Sequence, residues 1–308
     1  WDASNLGTPL CSSSEISTGN SLAFVDANLR LETDGILTFH TNLDRNPSNN
    51  LRRVRGNLKI SGDRVDLANA AGVTSISAEG DVVAIGDFEM APGVYTGLQL
   101  EAGRAMNIRG DIGKSSPLQS VTMAAGDFIA IGDPENLMTN GMIRADGDIR
   151  FNPDGNSWLE NTGVATVSVF ADNYEVTSTL GDVTFGEMQA ISTAGNLSIN
   201  AANRITVGDV TAAGDLDVTA PDIQILLRDG VQVWNSQGEF TSPGTGIIAS
   251  GEISFSSNPN FDLTSGLNAP VFASSQGVVT NGLLADQEWG AIENFDHNML
   301  ATDEAGPM

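Results

Sequence analysis

Between about residues 50 and 260 the chain alternates apolar and polar positions in short bursts, among them Leu58-Lys-Ile60, Ile149-Arg-Phe151, Val183-Thr-Phe185, Leu197-Ser-Ile199 and Leu216-Asp-Val218. Period two places successive side chains on opposite faces of a strand. Each burst therefore predicts a short strand with one face in a core and the other in water. Apolar positions at helical spacing are absent from this span. The bursts share a leader: Gly followed by Asp or Asn, at Gly56-Asn57, Gly80-Asp81, Gly147-Asp148, Gly181-Asp182, Gly195-Asn196 and Gly214-Asp215, with Gly251-Glu252 as a variant. Gly allows a tight corner, and a short Asp or Asn side chain can satisfy corner amides.

The leader and strand belong to a longer repeat. Ala78–Glu89 aligns with Ala124–Glu135 with eight of twelve positions identical at a spacing of 46. That divides into two coils of about 23 residues, within the range of stacked repeats. The pattern predicts an all-β fold, a parallel β-helix (β-solenoid) with short N-terminal and C-terminal caps. About ten coils stacked ~4.8 Å apart would make a rod on the order of 50 Å long. The rival is an antiparallel β-sandwich, a fold that rarely repeats a Gly-Asp corner so often. The expected divisions are an N-terminal leader and cap at 1–50, the solenoid at 51–265, and a C-terminal cap and tail at 266–308. Leu29–Phe39 holds two alternating runs around Asp34-Gly35 and reads as a first coil or a capping hairpin. Leu284, Trp289, Ile292 and Phe295 are spaced loosely as on a short amphipathic helix. From Gly147 to Gly181 is 34 residues and from Gly181 to Gly195 only 14, variation expected to fall in loops on one face.

Composition narrows the partners. The 308 residues carry 39 acidic and 14 basic side chains, a formal charge of −25. Nucleic acid and anionic membranes would repel such a chain. No run of 18 apolar residues is available to cross a bilayer as a helix. The single Cys11 cannot build a disulfide framework, and a chain this long does not need one. Asp outnumbers Glu by 25 to 14, which suits corners more than helices. Trp1 as first residue fits a processed mature end or a fragment. The acidic coat suits an extracellular protein in a saline setting. Asn46–Arg55, with Arg45 beside it, holds the one basic cluster, Arg45, Arg52, Arg53 and Arg55.

Gly110–Gly132 runs Gly-rich turn, Pro-Leu step, strand and Gly-led strand in that order, and Ser192–Thr219 is similar. These segments resemble repeats of large bacterial surface proteins of the filamentous-haemagglutinin type, over about residues 50–220. The resemblance implies a right-handed parallel β-helix, export, and a place on or outside a bacterial cell. The chain departs from that family in showing neither a secretion-domain signature nor a membrane barrel.

Candidate chemistry is sparse. His40 and His297 sit near opposite expected ends, so a Ser-His or Cys-His triad has no base in reach. No Gly-x-Ser-x-Gly elbow, Walker motif or complete dinucleotide loop is present. A polysaccharide-cleaving β-helix would need converging carboxylates, for which the candidate pairs are Asp146 with Asp148 and Asp215 with Asp217. The Asp-Asp and Gly-His-Gly signatures of pectin hydrolases are missing. Asp146, Asp148, Asn152 and Asp154 cluster oxygen ligands around two glycines and are the calcium candidates. Read as an EF-hand, however, the first ligand position falls on Arg150. A ranked Thr-x-Thr array of the ice-binding kind does not recur. No catalytic residue and no resident cofactor is expected, with calcium the one candidate. The expected function is a non-catalytic exported structural or adhesive β-solenoid, either a cell-surface adhesin segment or an extracellular filament subunit. Its expected partners are further copies joined head to tail, cell-surface components, or glycans. The alternative is a secreted or phage-borne polysaccharide lyase or hydrolase.

Overall fold

The computed structural model describes residues 28–40, 42–43, 54–70, 72–151, 166–185, 190–227, 246–257 and 259–263, with short strands at 15–16, 233–234, 240–241, 271–274 and 278–280. Among the described residues the secondary structure is all β, and the strands pair almost entirely in parallel within one 17-stranded and one 8-stranded sheet. Val233–Trp234 and Phe240–Thr241 form the exception, a small antiparallel pair.

Three ladders organise the pairing, and the chain visits them in a fixed order. The first ladder takes Leu29–Glu32, the front halves of Leu58–Leu67 and Val82–Met90, then Ala105–Arg109, Phe128–Gly132 and the start of Thr166–Ser178. It continues through Ala190–Thr193, Asp209–Ala212, Gly246–Ala249 and Val271–Ser274. The second follows a corner later, with Ile36–Phe39, the back halves of the same long strands, Ile112, Met138–Ala145, Asn196–Ala201, Leu216–Thr219, Ile253–Phe255 and Val278–Thr280. The third holds Leu43, Val73–Ala78, Gly97–Ala102, Val121–Ala125, Ile149–Phe151, Val183–Phe185, Arg204–Val207, Asp222–Leu227 and Asn260–Leu263. Strands that run straight through a corner merge the first two ladders into the larger sheet. Parallel pairing therefore takes in residues on both sides of the 51–265 span. Leu29–Glu32 and Ile36–Phe39 each pair with the following pass and not with one another. Ile36–Phe39 also pairs in parallel with the earlier Glu15–Ile16, so Leu29–Phe39 is one pass of the stack and not a hairpin. The segment expected to form a helical C-terminal cap, Leu283–Leu300, lies outside the described residues.

Each ladder turns its alternate apolar residues inward. Val82, Met106, Ile129, Val167, Ile191 and Val210 stand one above another in the first ladder, all of them buried. Together with their counterparts in the other ladders they form one apolar cluster from Leu29 to Phe255. In the third ladder Phe151 and Phe185 stack with ring centroids 4.5 Å apart and planes 5° from parallel, a contact worth about 0.5–1.5 kcal/mol beyond area burial.

The register corrects the repeat read from sequence. Val82 lies over Met106 and Met106 over Ile129, steps of 24 and 23 residues, so the true offset is one more than the 46 of the best alignment. At 46, inward Val82 would match Phe128, which points outward and is 36% exposed. A one-residue slip exchanges the two faces of a strand, and burial of the correct face decides against it.

The Gly-Asx leaders have a more specific task than corner making. At the corner before the first ladder, the Asn28 Oδ1 accepts from the Asn57 N–H (2.9 Å), and the Asn57 Oδ1 accepts from the Asp81 N–H (3.0 Å). Before the second ladder, the Asn196 Oδ1 accepts from the Asp215 N–H (2.7 Å) and the Asp215 Oδ1 from the Glu252 N–H (2.9 Å). Before the third, the Asp148 Oδ1 accepts from the Asp182 N–H (3.0 Å). Each Asx side chain thus satisfies an amide of the next pass, not of its own corner. The preceding Gly is required because this oxygen occupies the place of a Cβ. A Cβ would lie 2.3 Å from the Asn57 Oδ1 at Gly80, 2.5 Å from the Asp148 Oδ1 at Gly181, and 2.0 Å from the Asn196 Oδ1 at Gly214.

Gly181→Ala should therefore be costly, since its Cβ would also come within 2.6 Å of the Gly147 carbonyl carbon, whereas Gly35 has nothing within 4 Å. Urea unfolding followed by circular dichroism is expected to show a loss of about 1–3 kcal/mol for Gly181→Ala, the usual cost of overpacking. Gly35→Ala should lie close to the wild type. Equal effects at the two positions would refute this account of the corner.

Candidate functional site

A shallow open groove of ≈ 590 Å³ is lined by residues of successive passes: Gly72 and Val73, Tyr95, Gln119, Ser120 and Thr122, Asp146 to Asp148 with Arg150, and Leu180. It lies where the chain leaves the second ladder for the third. The turn at Ala91–Tyr95 builds its aromatic side, with the Val94 N–H bonded to the Ala91 carbonyl (3.0 Å) and the Ala91 N–H to the Leu67 carbonyl (2.9 Å). The opposite side is the segment from Asp146, whose N–H donates to the Leu118 carbonyl (2.7 Å) and whose carbonyl accepts from the Leu180 N–H (2.7 Å). Both sides are thus set by backbone bonds between passes. Tyr95 and Leu180 remain 54% and 71% exposed, unusually open for large apolar groups.

The polar chemistry is arranged in pairs. The Tyr95 hydroxyl donates to Asp146 Oδ2 (3.2 Å), and the Thr179 hydroxyl donates to Asp146 Oδ1 (2.9 Å). Arg150 donates to Asp148 Oδ2 (2.6 Å), while Asp148 Oδ1 holds the corner bond. All four carboxylate oxygens of the sequence-predicted pair Asp146 and Asp148 therefore already accept from protein donors. The Gln119 Oε1 is buried at the groove without a hydrogen-bond partner. Desolvation, reinforced by the Asp146 charge and hydrogen bond, holds the Tyr95 phenol above its ordinary value.

The other candidates fall elsewhere. Asp215 and Asp217 do not line this groove: Asp215 holds its corner bond to Glu252, and Asp217 points out between Leu216 and Val218 on an open ladder face. Of the calcium candidates, Asp146 and Asp148 are brought to the groove, and Asn152 and Asp154 lie outside the described residues. Among the described residues no cluster of three or more His, Cys, Asp and Glu side chains is placed to hold a metal ion. His40 is exposed just after the strand Ile36–Phe39, and His297, Cys11, Arg45, Arg52 and Arg53 lie outside the described residues.

Three further acids are buried on the outer side of the second ladder: Asp66, Glu89 and Asp111. The Arg64 guanidinium forks onto Asp66 (2.6 and 2.9 Å), Lys114 donates to Asp111 (2.5 Å), and the Ser115 N–H donates to Glu89 (2.8 Å). The bond to Asp111 is the first cause holding the Lys114 ammonium above its ordinary value. Asp111 and Glu89 pin the loop around Lys114 to the ladder, while Asp66 pairs within its own strand.

Sequence reasoning missed Tyr95, Gln119, Thr122 and Leu180. Their available signals were slight: Tyr95 is one of only two tyrosines and follows a Pro-Gly turn, and Leu180 is an apolar residue placed just before a Gly-Asp corner. No family model matches the chain, and no curated protein or solved structure matches it either.

Two expected outcomes separate structural carboxylates from chemical ones. Asp215→Ala leaves the Glu252 N–H without its acceptor and should lose roughly 1–3 kcal/mol in urea unfolding, while Asp215→Asn keeps the oxygen and should stay near the wild type. The two tyrosines provide a pH test. Tyr95 is raised as described, and Tyr174, buried with its hydroxyl unbonded, is raised far more by desolvation. A phenol whose folded pKa exceeds its unfolded value stabilises the fold at pH below the unfolded pKa, near 10, and that contribution is lost as pH rises through the folded value. Phenolate absorbance should therefore rise first for Tyr95, above pH 10, with Tyr174 ionising only as the fold is lost. Asp146→Asn should bring the first step down only in part, because desolvation, the larger cause, remains; an unmoved step would remove the Asp146 contribution.

Proposed function

We propose that the three ladders are the faces of a β-solenoid and that this solenoid is a non-catalytic, exported structural or adhesive rod, either a segment of a bacterial surface adhesin or a subunit of an extracellular filament. The observation that carries the reading is the set of corner bonds. They commit the chain's most regular carboxylates and amides to joining one pass to the next. A stack built this way is stiff along its axis and needs no disulfide or metal to extend. The likeness of Gly110–Gly132 and Ser192–Thr219 to filamentous-haemagglutinin-type repeats points toward the same kind of protein.

Head-to-tail joining follows from the pairing geometry. A parallel ladder offers unpaired N–H and C=O groups at each end unless a cap covers them, and heterologous contacts of this kind build filaments when they do not close. The −25 charge discourages side-by-side clumping, more so at low salt. The groove supports a second reading, a polysaccharide-cleaving enzyme. Release of reducing sugars or unsaturated products from a glycan panel, abolished by Asp146→Ala, would establish that reading over the first.

Sedimentation velocity across a hundredfold range of concentration, with electron microscopy of the same samples, tests the filament form. The expected result is end-to-end oligomers that grow with concentration and appear as unbranched threads. A monomer at every concentration, with no threads, would leave the adhesin form and remove the filament.

A further inference from the structure

We infer that the groove between Tyr95 and Asp146 binds a neutral oligosaccharide, with the apolar face of a sugar ring on the Tyr95 ring and its hydroxyls against Thr122, Gln119 and the Asp146 edge. The inference rests on the reading of this chain as a non-catalytic rod and names the chemistry that the rod would recognise.

Four observations meet at this place. First, Tyr95 is 54% exposed yet held, because its hydroxyl donates to Asp146 and it follows directly on the turn that the Val94 N–H closes onto the Ala91 carbonyl. A fixed, exposed aromatic plane presents binding area at small entropic cost. Second, Val73 and Leu180 extend that apolar surface across neighbouring passes without making a continuous hydrophobic patch, because Ser120, Thr122 and Gln119 stand between. An apolar plane interleaved with hydroxyls and an amide matches the two characters of a sugar, C–H on its faces and O–H at its edges. A protein interface core would be more continuously apolar.

Third, the charges of the groove, Asp146 and Asp148 against Arg150, leave one carboxylate without a cation within a strongly acidic chain. Arg150 pairs with Asp148, and two hydroxyls donate to Asp146. Among the described residues the groove offers no surplus cation to hold a sulfate, uronate or phosphate, and the chain's net charge of −25 opposes an approaching polyanion. A neutral ligand meets neither obstacle. Fourth, the Gln119 Oε1 is a buried acceptor without a donor. Gln119 as a whole is only half-buried, so a turn of its side chain would bring this oxygen to a ligand hydroxyl that supplies the donor.

Affinity electrophoresis in native gels tests the inference directly. One set of gels contains a neutral polysaccharide (dextran, galactomannan, xyloglucan or hydroxyethylcellulose), and a second set contains alginate as an anionic control. The wild type should be retarded in at least one neutral gel and run freely in alginate. Tyr95→Ala should weaken that retardation roughly tenfold, the loss of about 1.4 kcal/mol, while Tyr95→Phe keeps the ring and should remain within about threefold of wild type. Unchanged circular dichroism confirms that both exposed-site variants fold. The proposal is overturned by no retardation in any neutral gel, by retardation in alginate alone, or by retardation that Tyr95→Ala leaves intact. Because the readout is retardation of single particles at low concentration, absence of filaments does not affect it.

Discussion

An Asx side chain that reaches across to the next pass ties three features of this chain together. Its oxygen takes a backbone N–H that a corner would otherwise leave open, as the Asn57 Oδ1 does for Asp81 and the Asp215 Oδ1 for Glu252. At Gly80, Gly214 and Gly251 the oxygen occupies the place a Cβ would take, which accounts for the Gly before the bonded N–H at those corners. It also holds consecutive passes in register, because a shift of one residue would present the wrong amide and turn the apolar face outward. Asn and Asp serve equally in geometry. Where Asp is used, the added charge often meets an arginine of the same surface, as with Asp81 and Arg104 or Asp148 and Arg150. Exposed pairs of that kind contribute little stability singly. Their larger effect is to keep the acidic surface from being uniformly repulsive.

The leaders and strands were legible in the sequence because both rest on local chemistry, alternation and a Gly-Asx pair. The register was not, because it depends on which passes lie adjacent. The leaders appear as one motif in sequence and occupy three different corners in space. That resolves their uneven spacing: the 34 residues from Gly147 to Gly181 are a full pass at one corner, bonded through Asp148 and Asp182, whereas the 14 from Gly181 to Gly195 lead from one corner to another. The 34-residue pass is still longer than the 22 residues from Val183 to Ile205 or the 24 from Val73 to Gly97, and its extra length falls between Phe151 and Thr166, so the loop expected there lies outside the described residues. The alignment at 46 misled in the same way, since identity is highest where corner residues coincide and the intervening pass at Ala105–Arg109 shifts the strands by one.

The groove was less legible because its parts are distant in the chain and share no motif. Tyr95 and Asp146 are 51 positions apart and become neighbours through the stacking alone. Asp146 and Asp148 drew attention as closely spaced acids, the feature that often marks acid–base chemistry. Their surroundings give them other tasks, one holding the tyrosine and the other holding the corner. Closely spaced acids carry little information in a chain where Asp is also the corner residue.

The same division explains why binding and stacking can vary independently. The stack depends on residues that recur, the Gly-Asx pairs and the inward alternation, and a change there alters the register of every neighbour. The groove depends on residues that interrupt the recurrence, the Pro-Gly turn before Tyr95 and the exposed Leu180. Insertions at a corner already closed by bonds between passes leave the ladders intact. Such corners can take on new aromatic or polar groups with small effect on stability, whereas the ladder faces cannot. A recognition site on a rod of this kind is therefore expected at corners that depart from the repeat, and among the described residues exposed apolar area, a positioned hydroxyl and an unsatisfied amide oxygen coincide at the Tyr95 corner.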